Sequence, residues 1–203
     1  MAEQNVQKIK NYMAYRLHWL QNLPEHQQKA ALANLRRGIG KAPGDLPELW
    51  GIFLQDIPEE LESRTGKPTD GEWAVYLALT LYALHQQGHP LPADSMHKPD
   101  VSLGKAIRKL VPVGERPEDS SVLKRFNALA TAGTMPERFQ HLRGIIQLLR
   151  AKGIALDYLQ LAADLFWLQK AAPAAQVRLR WGQDYYYNAR QETETGTITE
   201  KGE

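Results

Sequence analysis

The stretch LRRGIGKAPGDLPELWG, residues 35–51, sets Arg36, Arg37 and Lys41 around a glycine-broken loop, the residue types of a phosphate cradle. Its spacing excludes a nucleotide loop. The Gly-x4-Gly-Lys-Ser/Thr loop wraps phosphates in backbone N–H groups and places a hydroxyl on magnesium. Here Leu35 stands at the position of the first glycine and Ala42 at that of the hydroxyl residue. A Gly-x-Gly-x-x-Gly dinucleotide turn fails too, because Pro43 replaces its third glycine. His85 and His89 have the four-residue spacing of zinc ligands on one helix face. Gln86, however, replaces the glutamate that serves as general base, and Gly88 ends the helix between them. The chain has no cysteine, which removes disulfides, thiolate chemistry and cysteine-held zinc. Glu59, Glu60 and Glu62 crowd one acidic turn without a partner that would split their acidities. Asp157 and Asp164, on one helix face, read as solvated or paired with arginines. Tyr185-Tyr186-Tyr187 is the aromatic cluster nearest to arginines and could stack on bases, although packing in a core or an interface is the plainer role. No catalytic set, metal site or cofactor site emerges, so the chain reads as a non-enzyme without a small-molecule substrate.

The elements that must position these residues are helices. Apolar residues recur at three- and four-residue spacing over roughly 4–20, 25–37, 46–56, 70–87, 102–111, 120–131, 136–152, 156–170 and 174–189. Pro24 opens the second helix and Gly38 closes it as a C′ residue; Thr69, Asp70 and Ser102 are N-cap types, and Gly88 and Gly153 are stops. VRLRW, 177–181, alternates like a strand, but Val177, Trp181 and Tyr185 also follow helical spacing. A lone strand would leave its backbone unpaired, so helix is chosen. Trp19, Trp50, Trp73 and Trp167 sit in apolar stripes and read as core. The expected fold is all-α, two small helical bundles packed together with no β-sheet. The turn-rich GHPLPADSMHKPD, 88–100, separates an N-terminal bundle, 1–95, from a C-terminal one, 96–190, followed by a disordered tail, 191–203. The polar N-terminus and the lack of a long apolar run predict a soluble cytoplasmic protein with no membrane partner.

Formal net charge is only +2, but its distribution is uneven. Residues 1–40 carry six Lys/Arg against two Asp/Glu, residues 41–72 three against eight, and residues 101–153 ten against four. An acidic segment therefore masks two basic ones. In SLGKAIRKL, Lys105, Arg108 and Lys109 share one arc opposite Leu103, Ala106, Ile107 and Leu110. Arg143 and Arg150 share an edge beside the seam Phe139, Leu142, Ile146 and Leu149. Lys29 and Arg36, with Arg37 alongside, follow one another on the second helix, and Lys124/Arg125 and Arg178/Arg180 add further pairs. Such faces are often merely solvated, and a helix C-terminus favours cations for its own reasons. Together they suggest phosphate-backbone binding without establishing it.

The order of LRRGIGKAPGDLPELW, SLGKAIRKL, LKRFNALATAG, HLRGIIQLLRAKGIALDYLQLAADLFWLQ and VRLRWGQDYY resembles the CasB family, the small subunit of the type I-E CRISPR surveillance complex Cascade, from about residue 12 to 187. The resemblance implies an all-helical, non-catalytic subunit. It implies a second copy head-to-tail, the repeated backbone subunit and the large subunit as partners, with crRNA and target DNA. Its basic surface would stabilise the R-loop, touching target and displaced strands without reading sequence. On that basis Arg36, Lys105, Arg125, Arg143 and Arg150 are the first candidates for nucleic-acid contact. Arg37, Lys41, Arg108, Lys109, Lys124 and Arg178 follow. Two departures bear on this: family members often carry arginine where Lys105 stands, and the loop 38–47 is contracted in shorter members. A helical scaffold acting through protein contacts alone, its basic faces meeting the acidic 41–72 segment of a neighbour, is the alternative. A metal-dependent hydrolase built on His85 and His89 is a third reading.

Overall fold

α4 (Asp70–His85) is the axis of the molecule, because its sequence is apolar on every side and a helix of that kind must be enclosed. Every residue from Ala74 to His85 is buried. The computed structural model describes the backbone of residues 2–199 and side chains through Tyr187. Around α4 pack α1 (Ala2–Asn22), α2 (Glu25–Arg37), α7 (Met135–Ala151) and α8 (Tyr158–Trp167). α3 (Trp50–Phe53) closes one end; α5 (Leu103–Arg108) lies on α9 (Ala171–Thr199), and α6 (Ser121–Thr131) on α7. Among the described residues there is no strand, only one isolated bridge between His97 and Leu156. The chain is all-α. Residues of both halves form one apolar cluster, so the 88–100 connection joins two parts of a shared core.

Side-chain caps fix the helix starts. Thr69 and Glu72 form a reciprocal box at α4: the Glu72 N–H donates to Thr69 Oγ1 at 3.0 Å and the Thr69 N–H to Glu72 Oε2 at 2.7 Å. Ser102, Thr134 and Asp157 do the same work for α5, α7 and α8. The expected helix 46–56 is broken. A 3₁₀ turn at Pro47–Leu49 precedes the four-residue α3, and Asp56 at φ 59° turns the chain away. Gly38 does end α2, yet its φ is −71°, so it is no left-handed cap. Space explains it: a Cβ there would lie 2.7 Å from the Tyr76 hydroxyl and 2.8 Å from Leu49 Cδ1. The expected disordered tail, 191–203, falls partly on α9, whose backbone continues to Thr199, and otherwise outside the described residues.

Two buried polar centres bind the helices together. Arg16, 1% exposed, lies over the rings of Tyr12, Tyr15 and Trp19 at 5.2, 5.1 and 5.5 Å, and donates to Tyr12 Oη and the Gln55 carbonyl. Asp164, also 1% exposed, accepts from Trp181 Nε1 at 2.6 Å, Gln160 Nε2 at 2.7 Å and Arg180, which ties α8 to α9. Burial raises its carboxyl pKa, while Arg180, Gln160 and Trp181 hold it down.

Candidate nucleic-acid interface

α7 positions the basic residues that come together. Phe139, Leu142, Ile145, Ile146 and Leu149 bury one side of it, which leaves Pro136, Gln140, Arg143, Gln147 and Arg150 along one edge at 100° per residue. Lys41 lies at the N-terminal end of that edge, lining a small hollow with Pro136 and Gln140. Arg36 lies at the other end. Its guanidinium pKa is lowered first by burial and then by the positive charge of Arg150. Lys41, Arg143, Arg150 and Arg36 thus form one row, drawn from both halves of the chain, along roughly 20 Å of helix at ~1.5 Å per residue. None of the four makes an ion pair among the described residues. Arg36 Nη1 donates to the Ala83 carbonyl at 3.4 Å and Arg150 Nη1 to Gln87 Oε1 at 2.7 Å.

The other candidates are placed differently. Arg125 and Lys124 are exposed on α6. Arg125 Nη1 comes within 4.0 Å of where a Cβ on Gly144 would stand, which brings it over α7 beside Arg143. Arg178 on α9 sits close enough to Arg138 to lower the latter's pKa, after burial. Arg138, not among the sequence candidates, lies beside Arg178 and donates from Nη1 to the Leu168 carbonyl at 2.7 Å; five residues from Arg143 it falls on a different part of α7, so the spacing gave no signal for it. Lys105 lies on α5 and Lys109 caps its C-terminal end, on a helix that packs chiefly against α9, and Lys105 Nζ donates to the Asp100 carbonyl at 3.2 Å. Arg108 departs from the expected open arc: it is 9% exposed and sits near Tyr185. α9 covers this side of α5, which turns a helical-wheel position into an interior one. Arg37 is exposed but paired with Glu48 at 2.9 Å.

The N-terminal charge excess shrinks on the same inspection. Arg16 is interior, and Lys8 and Lys29 pair with Glu60 and Glu25. Trp50, expected in the core, is 49% exposed, whereas Trp181 is the buried indole. Tyr185 is interior and donates to the Pro117 carbonyl at 2.9 Å; Tyr186 and Tyr187 are exposed.

His85 and His89 do not converge on a metal. His85 is fully buried with Nδ1 3.0 Å from the Tyr158 hydroxyl, and His89 Nδ1 faces Asp94 at 2.6 Å. No group of three or more metal-ligating residues occurs among the described residues, and no described helix is long and apolar enough to cross a membrane. Burial, with the charges of His89 and Arg150, pushes the His85 pKa down to about 3, and burial lowers that of His97. Between about pH 6.5 and about 3 the unfolded chain binds a proton at residue 85 that the folded chain does not. Stability from this group is therefore complete above the unfolded pKa and lost as the pH falls, by up to ~1.4 kcal/mol per pH unit. Chemical denaturation at pH 7 and pH 5 should show His85→Gln flattening that decline by about one proton's worth. An unchanged slope in the variant contradicts the neutral buried imidazole.

Comparison with known proteins adds independent findings. Residues 31–186 match the family model described as CRISPR-associated protein Cse2. The structure is similar to that of CasB from Thermobifida fusca, with 36% identity, 91% of this chain and 94% of that one covered, and a TM-score of 0.66. It also shares its fold with a Cse2-family CRISPR-associated protein from Thermus thermophilus, at 24% identity, 91% and 97% coverage and a TM-score of 0.59. No curated protein sequence matches the chain.

Proposed function

The chain belongs to the CRISPR-associated Cse2 family, and from that premise we propose that it is a non-catalytic small subunit of a Cascade-type surveillance complex that holds the opened strands of an R-loop by their backbones. The observation that carries this reading is the row Lys41, Arg143, Arg150 and Arg36: four cations on and beside one edge of α7, none of them in an ion pair among the described residues. Phosphates complete such a row, and contacts of that kind position a strand without reading its sequence. Exchanging duplex DNA for a guide–target heteroduplex is nearly balanced, so modest backbone contacts suffice to tip it. Arg125 and Lys124, the Arg138–Arg178 pair, and Lys105 and Lys109 extend the surface for a longer strand. The partners in this reading are crRNA and target DNA, the backbone and large subunits, and a second copy head-to-tail, in the cytoplasm.

The scaffold alternative draws on the acidic segment 41–72. Its Glu48, Glu59 and Glu60 are already paired within the chain by Arg37, Arg64 and Lys8, which weakens it as a docking face for another copy's cations. Reconstituted complexes carrying Lys41→Ala, Arg143→Ala and Arg150→Ala together should assemble normally and release the R-loop about 10-fold faster, at some 0.5 kcal/mol per exposed charge. An R-loop lifetime equal to that of the unsubstituted complex contradicts the assignment; failure to assemble points to the scaffold.

A further inference from the structure

Beside the C-terminal end of the basic row opens a cleft of ≈ 550 Å³, bounded by α2 and the turn that follows α4. Its size lies within the range of small-molecule sites, and three features of its lining bear on what fits. At the rim stand Arg36 and, through its bond to Gln87, Arg150. The carboxylates nearby are committed: Glu25 to Lys29 at 2.5 Å and Asp94 to His89 at 2.6 Å. The walls carry amide groups with capacity to spare. Gln28 gives its NH₂ to the Leu20 carbonyl at 3.0 Å and keeps Oε1 unused, while Gln87 takes the Arg150 bond on Oε1 and keeps its NH₂ unused, among the described residues. Leu32 and the leucines flanking the two turns supply an apolar lining.

Two guanidiniums at the mouth, a spare donor and a spare acceptor on the wall, and an apolar floor match the three parts of one nucleotide. We propose that this cleft seats a single unstacked nucleotide of the bound strand. Its phosphate lies on Arg36 and Arg150, and its base is lowered against Leu32 within reach of the Gln28 and Gln87 amides. The inference rests on the backbone-binding reading above and adds a base-dependent step to it. A base stacked in duplex cannot enter without unpairing, so the cleft selects single strands over double strands. A single donor and a single acceptor find a complementary group on any base edge, so the site discriminates little by sequence.

The test compares two 12-nucleotide probes on the full chain at low salt, one of mixed sequence and one made entirely of abasic residues. The unsubstituted protein should bind the base-bearing probe about 10-fold more tightly. Gln87→Ala, at an exposed position where the fold is not at stake, should shrink that preference to about 3-fold or less; because it also frees Arg150 from its bond, the quantity read is the ratio of the two affinities within the variant. Equal binding of both probes by the unsubstituted protein overturns the base site and leaves the backbone reading intact. A preference that survives Gln87→Ala undiminished overturns the placement in this cleft. Failure to bind either probe overturns the backbone reading itself, and this inference with it.

Discussion

Gly104→Val is expected to lower the thermal midpoint by about 10 °C, at ~3 kcal/mol of lost stability and ~3 °C per kcal/mol for a chain of this size. α5 approaches α9 so closely that a Cβ on Gly104 would overlap the Trp181 carbonyl oxygen and come within 2.8 Å of Asp184 Cβ. The first obstacle is backbone, which cannot rotate aside as a side-chain tip can. Relief requires α9 to move, and α9 holds much in place. Ser102 Oγ donates to Asp184 Oδ2 at 2.6 Å across the same contact, and Trp181 both fills the core and donates to the buried Asp164. Gly182→Ala serves as the control. A Cβ there meets nothing within 4 Å, so a helix-favouring residue should be neutral or slightly stabilising. A Gly104→Val midpoint within ~2 °C of the unsubstituted protein, against a ~10 °C expectation, contradicts the close-approach account.

The second large effect concerns binding. Arg125→Glu with Arg143→Glu replaces two exposed cations, unpaired among the described residues, on adjoining faces of α6 and α7. Neither side chain contributes to the core, so the melt should be unaffected. Affinity for single-stranded DNA at low salt should fall by about 100-fold. Each site loses an attraction and gains a repulsion of similar size, which for two sites comes to some 3 kcal/mol at 0.5–1 kcal/mol per exposed charge interaction. Loss within about 3-fold contradicts a phosphate-facing surface at α6–α7.

Helix periodicity made most of the fold legible: α1, α2, α6 and α7 each bury a stripe, α4 is apolar all round, and α2 and α4 begin at the punctuation Pro24 and Thr69. It failed at 46–56, where the apolar spacing persists but Pro47 and the left-handed turn at Asp56 interrupt the backbone. It placed Gly38 at the end of α2 without the reason for a glycine there, and was silent on Gly104. Both glycines answer to distant side chains or helices, and no local pattern carries that information. The basic row was half legible. Arg143 and Arg150 on one edge follow from 100° arithmetic, whereas their alignment with Lys41 and Arg36 depends on how α2 and α7 flank α4. Arg108 and Arg16 show the limit from the other side. A helical wheel marks the face opposite the apolar stripe as open, yet α9 covers Arg108, and three rings enclose Arg16.

Backbone recognition has a signature that neither stability nor protein contact can imitate, the release of condensed counterions from phosphates. The most direct measurement is therefore the logarithm of affinity for a single-stranded oligonucleotide against the logarithm of salt concentration, for the unsubstituted chain and the Arg125/Arg143 reversal. With about six phosphates engaged the slope should be about −4, at ~0.7 per contact, and about −3 or shallower once two contacts are gone. A slope near zero, or two superimposable lines, contradicts a phosphate-binding surface on this protein.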